Sequence, residues 1–243
     1  MKKTLFSIAS LAWVTFSAIR ADAQNLYIGA RIGSNLANQL NDSLGAYASS
    51  YGTEGITNGI HTGFLAGLQI DRHFDDMWGI SAELLYDQKG TQVNYNESFT
   101  IVAPKNLEGP YTQTGTSDLT LNYLEVSLLL KVRFGSGDLR PYVFAGPSLG
   151  LFLSGKQQDN ISYTESGSSG TLDTTRSIPG SDTKTFDASI VGGAGAELKL
   201  GSDQIIFVDA AYAYGFTNIA QSSDASVRSR DINLAAGILF PLD

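Results

Sequence analysis

The 243 residues contain no cysteine. Disulfide frameworks, thiolate metal sites, iron–sulfur clusters and cysteine nucleophiles are therefore excluded. Histidine is almost as scarce: His61 and His73 are the only two, and neither has a second histidine at ligand spacing, so no metal site is indicated. Basic residues are few, with 16 Lys+Arg against 24 Asp+Glu, a formal charge of −8 and a pI near 4.7. A nucleic-acid partner is not expected from such a balance. The G-x-S-x-G, H-E-x-x-H and P-loop patterns are absent. Gly192-Gly193-Ala194-Gly195 has the look of a nucleotide loop but falls inside an alternating strand, where glycine relieves crowding. No cofactor is expected. Past residue 23, no apolar run approaches the roughly 18 residues of a spanning helix. Pro141 to Gly155 is uncharged, but Pro147 and several glycines break it.

What is present begins with an address. Lys2 and Lys3, an apolar stretch from Leu5 to Ile19, and Ala21-Asp22-Ala23 have the layout of a secretory signal peptide cleaved near residue 23. The expected organisation is a signal peptide over 1–23 and one domain over 24–243. Removing the leader takes away Lys2, Lys3, Arg20 and Asp22, leaving 13 basic and 23 acidic residues, or −10.

The rest of the chain alternates. From Arg228 to Phe240, Ile232, Leu234, Ala236, Ile238 and Phe240 share one face, while Ser229, Asp231, Asn233, Ala235 and Gly237 share the other; Leu239 breaks the pattern. Ile205 to Phe216 and Asn122 to Phe134 are as regular. A period of two marks strands with two unlike faces. Five further strands follow over Leu26–Ser34, Ile60–Arg72, Trp78–Gly90, Arg140–Leu153 and Lys184–Leu200, the fourth of these ambiguous because Tyr142, Phe144 and Phe152 fall on its polar face. The connections alternate too: Arg72–Asp76, Gly135–Asp138 and Gly201–Asp203 are tight turns, whereas Leu36–Gly59, Thr91–Asp118, Gly155–Thr183 and Thr217–Val227 read as long polar loops. Short turns at one end and long loops at the other predict an all-β, eight-stranded, antiparallel up-and-down barrel with both termini on the short-turn side.

A soluble lipid-binding barrel would place its apolar face inside, and a membrane barrel outside. Aromatic placement separates the two. Trp78, Phe134 and Phe240 sit on apolar faces beside the short turns, and Phe64, Tyr86, Tyr212, Tyr214, Phe216 and Phe186 lie toward the long-loop end. Two belts on one face predict the interfacial girdles of a transmembrane barrel. The polar face then lines the interior, with Arg31, Lys131, Arg133 and Lys199 facing Glu83, Glu125, Asp187, Glu197, Asp209 and Asp231. Charges in so narrow a space persist only when paired, which predicts a plugged ion-pair network and not an open channel. A general acid/base pair, Glu83 with Glu125, is the sharper alternative.

Several segments carry a family resemblance: Gly29-Ala-Arg-Ile-Gly33-Ser-Asn35-Leu, Gly63-Phe-Leu-Ala-Gly67-Leu, Glu83-Leu-Leu-Tyr86-Asp-Gln-Lys89-Gly90, Leu121-Asn-Tyr123-Leu-Glu125-Val, Pro141-Tyr142-Val-Phe-Ala145-Gly146-Pro147 and Tyr214-Gly-Phe-Thr217-Asn218-Ile. In this order along nearly the whole mature chain, they resemble the PorT-like outer-membrane β-barrel family. The resemblance implies an eight-stranded barrel in the outer membrane of a Gram-negative bacterium, in contact with outer-membrane lipid. A member of that family works with a protein-secretion apparatus, which makes an envelope or secretion protein the implied kind of partner. One departure is the chain end, where Pro241-Leu242-Asp243 follow Phe240, although such barrels often finish on an aromatic residue.

The expected function is non-enzymatic, either structural or partner-binding through the long loops. Those loops hold ten acidic residues against Lys105, Lys156 and Arg176, a balance of −7. The alternatives are a barrel enzyme acting on lipid or peptide at the loop end, and a narrow passive pore.

Overall fold

The computed structural model describes residues 25–41, 56–101, 109–165, 168–180, 183–201, 203–219 and 227–242. The proposed leader lies outside them. Ten strands follow in order: β1 (Leu26–Asn41), β2 (Ile56–Gly59), β3 (His61–His73), β4 (Trp78–Ile101), β5 (Gly109–Arg133), β6 (Leu139–Glu165), β7 (Ser168–Ile178), β8 (Phe186–Lys199), β9 (Ile205–Gly215) and β10 (Val227–Pro241). Eight of them close a ring, β1-β3-β4-β5-β6-β8-β9-β10 and back to β1, every pair antiparallel. The other two are additions: β2 pairs with the far part of β4, and β7 with the far part of β6.

Side-chain period dictates which wall faces where. Along β9 buried and exposed residues alternate without interruption, and Ile206, Val208 and Tyr212 point outward. Val126, Leu128 and Leu130 of β5 do the same. An apolar exterior around a charged interior is the inverse of a soluble protein, and closure leaves the ring no unpaired edge; both are what a bilayer requires. Leu239, which broke the alternation of β10, is fully buried on the inner face, where it packs with Tyr27, Ile205 and Phe207. The ambiguity of β6 resolves likewise: Tyr142 and Phe144 point inward and Val143 outward. Glycines opposite make room for these rings. A Cβ on Gly193 would stand 2.5 Å from the ring of Phe144, and one on Gly237 would stand 2.4 Å from that of Phe207. Beyond Phe152 the register of β6 against β5 slips at Asn122/Tyr123, a bulge that defeats a strict period of two.

The three tight turns fall where the sequence puts them, and Tyr27 pairs with Pro241 at the same end. The long connections do not. Most of Thr91–Asp118 is strand, with β4 and β5 paired out to Ile101 and Gly109. Most of Gly155–Thr183 is the β6–β7 hairpin. The reason is compositional: Ser, Thr, Asn and Gln on both faces make a strand without an apolar period, and such a segment reads as a loop although its threonines and tyrosines favour extended backbone. The barrel is therefore uneven. β4, β5 and β6 are 24, 25 and 27 residues long, and β9, β10 and β1 only 11, 15 and 16.

Candidate functional site: a charged interior and two girdles

Toward the turn end, the inner face gathers three cations and four carboxylates. Arg31 of β1 grips Asp209 of β9 with both terminal nitrogens, at 2.6 and 3.0 Å, and reaches Glu83 of β4 at 3.2 Å. A guanidinium presents a fixed fork that matches a carboxylate, so this pair sets distance and orientation together. Asp209 also accepts the hydroxyl of Tyr142 at 2.7 Å. Lys131 of β5 bridges Asp71 of β3 at 3.1 Å and Glu197 of β8 at 2.9 Å, and its ammonium stands 4.0 Å from the centroid of the Tyr142 ring. Arg133 lies 3.7 Å from Glu197 and donates to the carbonyls of Asp75 and Trp78 at 2.8 and 3.2 Å, tying the first turn to the barrel. In that turn the backbone N–H groups of Trp78 and Met77 bond Asp75, at 2.6 and 2.7 Å, and hold its carboxyl below the ordinary range.

Toward the loop end a second cluster has a different balance. Lys89 of β4 is its only cation, 3.2 Å from Glu125, 3.3 Å from Asp231 and 3.8 Å from Asp187. An ammonium has three N–H bonds, so one lysine can serve three carboxylates. The fourth, Asp87, takes its hydrogen bond from Asn35 at 2.7 Å. Glu125 also accepts the hydroxyl of Ser148, which Ser127 reaches at 2.9 Å. Beside the first cluster, between Arg31, Glu83, Lys131 and Asp209, the residual cavity is about 10 Å³. That is about the size of a single water site.

Of the interior residues expected from sequence, Arg31, Glu83, Glu125, Lys131, Arg133, Asp187, Glu197, Asp209 and Asp231 are buried inside the barrel. Lys199 is not. It is 45% exposed at the turn end of β8 and pairs with Asp203 at 2.8 Å, across the tight turn. The strand reaches the mouth at that point, so inward parity no longer means burial. Glu83 and Glu125, weighed as an acid/base pair, belong to different clusters, each held by its own cation. Sequence reasoning passed over Lys89, Asp71 and Asp87 as interior groups. Carrying the parity of Ser81 and Glu83 forward to Asp87 and Lys89, and that of Gln69 to Asp71, would have found all three.

The aromatic belts occupy the outer face. Trp78, Phe134 and Phe240 are exposed at the turn end. Phe64 and Tyr212 are exposed at the other end, where Tyr86 and Tyr214 are half-buried; Phe64 packs on Tyr86 and Tyr214 on Phe216, each at 5.5 Å between centroids. Phe74, in the first turn, extends the lower belt. Among the described residues no cluster of His, Asp or Glu is arranged to hold a metal ion.

The chain is similar to several solved outer-membrane proteins. Ail, the attachment invasion locus protein of Yersinia pestis, overlays with a TM-score of 0.38 at 16% identity, covering 88% of this chain and 98% of its own. Neisserial surface protein A gives 0.41 at 14% identity, over 90% and 98%. The outer membrane protein OprG from Pseudomonas aeruginosa gives 0.39 at 12% identity, over 89% and 96%. No curated protein matches by sequence. Residues 22–221 match the outer membrane protein beta-barrel domain family. With that match spanning most of a closed eight-stranded ring whose apolar face is turned outward, the chain belongs to this family and is an integral barrel of the bacterial outer membrane.

Proposed function

We propose that this is a non-enzymatic, non-conducting barrel of PorT-like type, exported by a leader over residues 1–23, that meets an envelope or secretion-apparatus protein through its protruding wall. The observation that carries the reading is the filled interior. Buried cations on facing strands cross-link the inner wall, and the space left beside Arg31 is about 10 Å³. Packing this close at the level of Arg31 supports an interior closed to ions there. Among the described residues the buried carboxylates of the two clusters are each engaged in an ion pair or hydrogen bond with another strand, which supports a structural role over an acid/base one.

Outside the membrane the polar extensions of β4, β5 and β6, with β7 alongside, run well beyond the length of β9. β7 pairs only with β6 among the described strands and is exposed along nearly its whole length. A free edge of this kind can take a further strand from another chain, with backbone hydrogen bonds giving affinity. Planar-bilayer recording tests the central part of the reading. Purified protein is expected to insert without unitary conductance, and stable single-channel steps would replace this reading with that of a narrow pore.

A further inference from the structure

The outer face of β10 changes character at one point. From the turn end it presents Phe240, Ile238, Ala236, Leu234 and Ile232, and then Arg230 and Arg228. Ser229 and Asp231, of opposite parity, are buried inside, so the two guanidinium groups are directed away from the interior carboxylates. From Phe240 to Arg230 is ten residues; at about 3.3 Å each and a tilt of about 40°, that is a rise of roughly 25 Å, the height of a barrel's apolar band. An outward charge is costly at the bilayer midplane and nearly free at the interface, and Arg230 stands where the band ends.

At that level Arg230 is opposite Tyr214 of β9 and Asn38 of β1. Its guanidinium carbon lies over the Tyr214 ring, 4.6 Å from the centroid, a cation–π contact that holds the group at the face of β9. Its Nε is buried without a hydrogen-bond partner. Among the described residues neither Arg228 nor Arg230 forms an ion pair with a carboxylate. On the ring β10 lies between β9 and β1, away from the long strands β4, β5 and β6.

We propose that Arg228 and Arg230, with Tyr214 beside them, bind the phosphate of an outer-leaflet glycolipid headgroup. Guanidinium groups match phosphate oxygens in a two-pronged geometry. The acidic balance of the loops repels free anions, whereas a lipid presents its phosphate laterally, from within the leaflet.

The test reconstitutes the full mature protein in phosphatidylcholine nanodiscs containing either bisphosphorylated lipid A or its dephosphorylated form, and measures retained glycolipid by native mass spectrometry after detergent exchange. The parent is expected to retain the phosphorylated lipid selectively. R228Q/R230Q is expected to lower that retention roughly twenty-five-fold, at about fivefold per basic residue, with unchanged gel mobility of the unheated, folded form. Equal retention of the two lipid forms by the parent overturns the proposal without recourse to any variant. So does undiminished retention by a folded R228Q/R230Q protein. Displacement of the lipid by an equal concentration of inorganic phosphate would make this a site for free phosphate, which also overturns it.

Discussion

The interior cluster nearer the turns sets Arg31, Lys131 and Arg133 against four carboxylates, while the cluster nearer the loops sets Lys89 alone against four. In the first, most groups have more than one partner: Asp209 is held by Arg31 and by Tyr142, and Asp71 by Lys131 and by Gln69. In the second, Glu125, Asp187 and Asp231 share a single ammonium as their cation, although Ser148 also donates to Glu125. Two solutions to the same problem thus sit in one lumen, a redundant one and one with a single keystone. The difference lies in how charge is distributed among strands, since both clusters are equally enclosed.

Replacing Lys89 with Met is expected to have the largest effect, because it strands three carboxylates at once. Breaking one buried pair costs on the order of 3–5 kcal/mol, so little heat-modifiable, folded protein should remain on an unheated gel at neutral pH. Adding Asp187→Asn and Asp231→Asn to K89M should recover part of the folded fraction; no recovery would mean that lysine matters there for packing and not for charge. Arg31→Met is expected to cost less, nearer about 3 kcal/mol in a urea titration, since Tyr142 continues to bond Asp209. If R31M proves the more damaging change, redundancy does not protect the first cluster and the contrast between the two fails. Lys199→Gln sharpens the comparison from outside it. An exposed pair across a turn is worth roughly 0–1 kcal/mol, so its urea midpoint should stay close to that of the parent.

Physical chemistry decided what could be read from the chain. Inside the apolar band one face must be greasy and the other not, so Ile232, Leu234 and Ile238 announce β10, and Val126, Leu128 and Leu130 announce β5. Above the band water touches both faces and that constraint vanishes, which is why the outer parts of β4, β5, β6 and the whole of β7 passed for loops. The interior shows the same division. Arg31, Glu83 and Asp209 were legible from parity in the middle of regular strands. Asp71 was obscured by its neighbouring turn, and Lys89 by Gln88 and Gly90, where the apolar period fades. Arg133 and Lys199 share inward parity and lie near the turn end, yet one is buried and the other is not; only the position of the mouth distinguishes them, and no local pattern encodes it.

The ring is sealed by its first and last strands, Tyr27 opposite Pro241, 214 positions apart along the chain. The β4–β5 pairing, by contrast, starts between Ile101 and Gly109 and can grow by simple zippering. Folding is slow when the decisive contact joins distant parts of a chain, because loop-closure entropy is lost before the contact forms. Until β10 arrives, β1 and β9 would each expose a row of unpaired backbone groups, which a bilayer does not tolerate. The described ring therefore has no edge-free form in lipid until β10 is paired with both β1 and β9.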